Sequence, residues 1–229
     1  MRDTTPRVGF VGAGVCVALL LIMAALLLMG ALPSTAEGQE PRLTTRLPAA
    51  ARLQVDSILD AARAAGLPVE PLVDRALEGA AKGAPPGLIV TAVARLRQEL
   101  ASARAAFGSS ASPSEITAGA SALRAGATAK DLAQLRRLRA GQPLTVAASV
   151  LADLVSAGVP ADTAIGAVFA LANGADDADY LAFRRTVQAD IALGASPAAA
   201  LGARLESLGS MADSPAVTGQ TGVRSKRKP

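Results

Sequence analysis

The sequence contains no histidine. Its absence removes both the commonest general base near neutral pH and the commonest metal ligand. Tryptophan is missing too, and Phe10, Phe107, Phe169, Phe183 and Tyr180 are the whole aromatic set. Sugar sites built on aromatic platforms are therefore not expected. The single cysteine, Cys16, excludes a disulfide or a Cys/His metal site within one chain. Lysine occurs only at 82, 130, 226 and 228, so a serine nucleophile with a lysine base has few places to form. Residues that favour strands are scarce, whereas alanine, leucine and arginine, all strong helix formers, dominate. The expectation is an all-α chain with no cofactor, and 229 residues are enough to bury a sizeable core in one or two domains. The excess of arginine over lysine, with the Ala/Gly/Pro bias, points to a GC-rich bacterial genome.

What is present begins with a leader. Residues 1–7 carry Arg2 and Arg7, and residues 8–32 carry no charge. Pro33, Ser34, Thr35 and Ala36 follow, a small-x-small pattern that ends a secretory signal peptide. The apolar run is also long enough to span a bilayer. Residues 1–36 are read as a signal peptide cleaved after Ala36, or as an uncleaved transmembrane anchor. Both readings place the body outside the cytoplasm, and the second makes the membrane a partner through residues 8–32. The glycines of Gly9-Phe10-Val11-Gly12-Ala13-Gly14 resemble a dinucleotide fingerprint, but that motif needs a strand before it and an acid after it in a βαβ unit. Unbroken hydrocarbon follows instead.

Residues 37–48 are polar, with two prolines, and read as a linker. From residue 49 to 209 apolar residues recur at helical spacing, and glycine closes run after run. Residues 140–174 show the rule best: Gly141 and Gly158 each end a run, Pro143 and Pro160 open the next, and Gly174 closes the third. Ser112-Pro113-Ser114-Glu115 spells a capping box, and Thr128 with Asp131 starts another helix. This punctuation predicts about nine antiparallel helices in short hairpin units, arranged as an irregular α-solenoid or a compact helical bundle. Residues 210–229 are polar and non-periodic, and read as a disordered basic tail.

Candidate sites are few. Asp176, Asp177 and Asp179 lack the glycine and glutamate of a calcium loop, and read as acids at a helix start. Asp56 and Asp60, one turn apart, read as a solvated face rather than a catalytic dyad. Arg136, Arg137 and Arg139, with Arg124 and Lys130 nearby, form one basic cluster, and Arg95, Arg97 and Arg104 form another. The first could hold an anion or an acidic partner. Arg224, Lys226, Arg227 and Lys228 make the strongest charge feature. Arg2, Arg7 and Asp3 lie in the leader, leaving 21 basic and 18 acidic residues; without the four tail cations the balance is 17 against 18. The basicity therefore lives in the tail, which could hold anionic lipid or polyanions by charge alone.

The functional expectation is a non-enzymatic helical scaffold or interaction protein of a bacterial envelope, periplasmic, secreted or anchored in the inner membrane. Its partner is an unspecified protein, and nucleic acid is not expected. Two alternatives remain, a peripheral binder of anionic surfaces working through the tail and an enzyme of unrecognised type.

Overall fold

A computed structural model describes residues 41–212, with Pro41 and residues 208–212 described by backbone alone. The described residues form ten helices and no strand. They are α1 (Pro41–Thr44), α2 (Ala49–Ala64), α3 (Glu70–Ala81), α4 (Pro86–Phe107), α5 (Pro113–Ala125), α6 (Ala129–Leu138), α7 (Thr145–Ser156), α8 (Ala161–Leu171), α9 (Asp177–Ala192) and α10 (Pro197–Ala212). The apolar leader, residues 8–32, and residues 213–229 of the basic tail lie outside the described residues. Among the described residues, no helix is long and apolar enough to cross a membrane.

The chain uses one local device repeatedly. At the end of α7 the Gly158 amide donates to the Val155 carbonyl (2.9 Å) and the Val159 amide donates to the Leu154 carbonyl (3.1 Å). Together these bonds make a Schellman motif, which satisfies carbonyls that the helix end would leave bare. Gly158 has φ 93°, and Val159 and Leu154 are both buried. Pro160 then stands as the N-cap of α8 in extended geometry. The same pair of bonds closes α2 at Gly66-Leu67, α3 at Gly83-Ala84, α5 at Gly126-Ala127 and α9 at Gly194-Ala195. A helix, a left-handed glycine, a small or apolar residue and a new cap make one hinge.

The structure departs from the punctuation at four points. Gly174 does not take positive φ. There the amides of Gly174 and Ala175 both reach the Leu171 carbonyl, so α8 leaves through a further right-handed turn. Helix α7 starts at Thr145, two residues after Pro143, with Leu144 at the N-cap. Helix α10 continues to Ala212, beyond residue 209. The polar stretch expected as a linker contributes to the core: α1 and the turn after it bury Leu43 and Leu47.

Packing joins alternate helices as well as consecutive ones. Helix α2 packs on α4, α4 on α5, α5 on α7 and α7 on α9, so five helices stand in a row. A second series runs beside it, α6 against α4 and α8, α8 against α7, and α10 against α8 and α9. Helix α3 packs on α4 and touches α1 and α2. Small residues bring the row together. A Cβ on Gly119 of α5 would lie 2.6 Å from Phe107 Cε2 and 2.9 Å from the Ala103 Cβ of α4, closer than such atoms can pack. Buried alanines at 118, 120 and 122 on α5, and 147 and 148 on α7, extend this close approach.

Candidate functional site

The first arginine cluster is divided by the fold. Arg139 is 2% exposed. Its Nη1 donates to the Ala175 carbonyl (2.9 Å), its Nη2 to Asp177 Oδ1 (2.9 Å), and its guanidinium lies 4.9 Å from the Tyr180 ring centroid. It therefore ties the end of α6 to the start of α9. Tyr180 continues the link by donating its hydroxyl to the Val168 carbonyl of α8 (3.0 Å). Arg136 is also held, on Glu115 Oε1 (2.8 Å) and the Gln142 carbonyl (3.1 Å), 5.7 Å from the Phe107 ring. Arg137 alone of the three is exposed. Adjacency in sequence implied one patch; helical geometry turns two of its cations inward. Arg224, Lys226, Arg227 and Lys228 lie outside the described residues.

Glu115 is the centre of the internal polar network. Its Oε2 accepts from the Ser112 amide (2.8 Å) and hydroxyl (3.0 Å), completing the expected capping box. Its Oε1 accepts from Arg136 and from the buried Leu144 amide (2.9 Å), which starts α7. Burial alone would raise this carboxyl. The Ser112 and Leu144 amides, Arg136 and the Ser112 hydroxyl outweigh it and hold Glu115 below its ordinary range. Thr128 with Asp131 and Asp176 with Asp179 form capping boxes as well, so Asp176 and Asp179 hold the start of α9. Asp56 is not on a solvated face. It is buried, its Oδ1 has no partner, and burial pushes its carboxyl up.

A surface with room for a ligand lies along α3. Helix α3 buries Leu72, Val73 and Ala76 and leaves its polar side facing α4, α5 and α7. On α5, Ser114, Thr117, Ser121 and Arg124 recur at i, i+3, i+7 and i+10, which places them on one face. Thr145 and Ser149 of α7 extend that face. A hollow of about 470 Å³ opens between these hydroxyls and Pro68, Pro71 and Asp74. It shares Pro71, Asp74, Thr117 and Ser121 with a hollow of about 360 Å³. That one shares Arg75, Leu96 and Arg124 with a cleft of about 290 Å³. The three form one groove, hydroxyl-lined at one end and arginine-lined at the other.

Its charged groups are arranged in shared pairs. Glu99 takes Arg95 Nε on Oε1 (3.1 Å) and Arg124 Nε and Nη2 on Oε2 (3.1 and 2.8 Å). Glu78 takes Arg75 (2.8 Å) and Lys82 (2.5 Å). Hydrogen bonds from Lys82 and Arg75 hold Glu78 below its usual range, and those from Arg42 do the same for Glu70. Thr117 and Ser121 donate to carbonyls of their own helix, those of Pro113 (2.9 Å) and Thr117 (3.2 Å), and present acceptors to the groove. Among the described residues, no group of three His, Cys, Asp or Glu side chains converges as a metal site. The stripe at 114, 117, 121 and 124 was readable as helical spacing; the clusters singled out above followed chain proximity instead.

A larger hollow lies elsewhere, at about 850 Å³ between the end of α8, α9 and α10. Leu171, Ala182, Phe183 and Leu205 line it. It opens beside α9, the last helix of the row. No protein-family model, curated protein or solved structure matches the chain.

Proposed function

We propose that this chain is a non-enzymatic helical interaction scaffold, exported or held by its leader in a bacterial inner membrane, with the α3 groove as its docking surface. The groove is the observation that carries the reading. It crosses four helices, and its acceptor hydroxyls and paired guanidinium groups suit an extended polypeptide. The nearest-neighbour order of the helices supports an open α-solenoid, the architecture that leaves such surfaces exposed. Glu70 and Glu78 support binding over catalysis, because general acid–base work needs carboxyls raised toward neutrality and these are held down.

Two measurements test the proposal. N-terminal sequencing of the native protein should begin at Glu37, or at Met1 in the membrane fraction; an intact soluble cytoplasmic protein overturns the export reading. Capture from the native envelope by the tagged chain should yield a protein that Ser149→Arg, placed in the groove, fails to retain. Identical captures by both chains would remove the groove from the proposal.

A further inference from the structure

We infer that the cleft between Arg75, Arg95 and Arg124 is the anchor of the α3 groove for a carboxylate, carried by an acidic residue of an extended peptide. The inference rests on the reading of that groove as a docking surface. Three guanidinium groups line the cleft, and the only carboxylate among its lining residues is Glu99. Glu99 engages one nitrogen of Arg95 and two of Arg124, and Arg75 is engaged by Glu78 through one. Among the described residues, Arg95 Nη1 and Nη2, Arg124 Nη1, and Arg75 Nε and Nη2 meet no acceptor. A guanidinium presents five N–H donors in a planar fork matched to a carboxylate. Glu99 shows that the site already accepts this group; with Glu78 on Arg75, two glutamates meet three guanidinium groups, so one positive charge is left over.

The surroundings narrow the ligand further. Leu88 is 63% exposed at the cleft, with Ala92 and Leu96 beside it. An apolar side chain next to the acid therefore finds a floor. From the cleft the groove runs past Thr117 and Ser121, whose oxygens can accept backbone N–H groups of an extended strand. The best match is an acidic residue adjacent to an aliphatic one, at one end of a segment that lies along α3.

The test uses the full-length chain and a fluorescein-labelled peptide, Gly-Ser-Gly-Ser-Leu-Glu-Glu, against its Leu-Gln-Gln amide counterpart, read by anisotropy. The acidic peptide should bind and weaken with added salt, and the neutral one should not. Arg95→Gln, at an exposed position, should weaken binding about tenfold, the loss expected from one charge-assisted contact. Glu99→Gln is the decisive variant. It removes the resident competitor and should tighten binding severalfold, whereas a purely structural Glu99 would leave affinity unchanged or lower it. Equal binding of both peptides, or no gain with Glu99→Gln, overturns the assignment. Displacement by inorganic phosphate at lower concentration than by glutarate would overturn the carboxylate, and an Arg95-dependent association with phosphatidylglycerol vesicles without peptide binding would overturn the peptide. If Ser149→Arg abolishes peptide binding while Arg95 and Glu99 variants leave it unchanged, the groove stands and the anchor falls.

Discussion

At the scale of single residues, the fold is held by a few charges that face inward. Glu115 accepts four hydrogen bonds from α5, α6 and the start of α7, and its side chain is 10% exposed. Glu115→Gln should destabilise the protein by about 2–3 kcal/mol, because an amide NH2 then faces donors. Its folded pKa is depressed, so this contribution is complete above the ordinary glutamate value of 4.5 and is lost as pH falls through the lower folded value. Urea melts of wild type and variant should show a gap that is constant near neutrality and narrows in acid. A gap that widens in acid would contradict the network. The capping half of this arrangement was legible in Ser112-Pro113-Ser114-Glu115, since a capping box is local. The other half was not, because Leu144 and Arg136 reach Glu115 across 29 and 21 residues. Asp56 misled for the same reason. Its i+4 partner Asp60 is exposed and paired with Arg63, but tertiary packing buries Asp56.

At the scale of elements, glycine placement decides where helices end, and Gly158 measures how firmly. Its φ of 93° disfavours any side chain, and an added Cβ would meet Pro197 Cγ of α10 at 3.2 Å. Gly158→Ala should cost about 1–2 kcal/mol in denaturant melts at constant m-value. A stabilised variant would mean that the turn between α7 and α8 is not made as described. Seven described glycines, including Gly66, Gly83 and Gly194, share positive φ, which is why nine of the ten described helices were readable from glycine and proline punctuation and α1 was not. Boundaries were less readable. Proline suits both the first turn and the extended residue before it, so Pro160 serves as an N-cap while Pro113 begins its helix. Leu43 and Leu47 were passed over because two leucines in a polar stretch carry no periodicity.

At the scale of the molecule, each helix in the row finds its main partners next to it. Helices α2 and α3 pack on α4, with α1 beside them. A chain beginning at residue 84 should therefore remain helical and unfold cooperatively at a lower Tm than the full chain, by circular dichroism. Loss of the cooperative transition would point to one closed core instead of a series. Repeated punctuation does not decide between solenoid and bundle, because it marks where helices end but not which helices pack together: α6 packs mainly on α4, not on α5 or α7. The groove was hidden for a related reason: it exists only where α3 comes to lie beside α5 and α7.

The order of the row also bears on how the protein would meet mechanical load. In the proposed solenoid the parts lean mainly on their neighbours, and no single one is a keystone. Tension between its ends would peel one packed pair at a time, each released stretch, such as α9 with α10, lengthening toward roughly 3.4 Å per residue. Strain would be shed in steps and recovered in steps, as in a clasp chain, with the untouched pairs still folded.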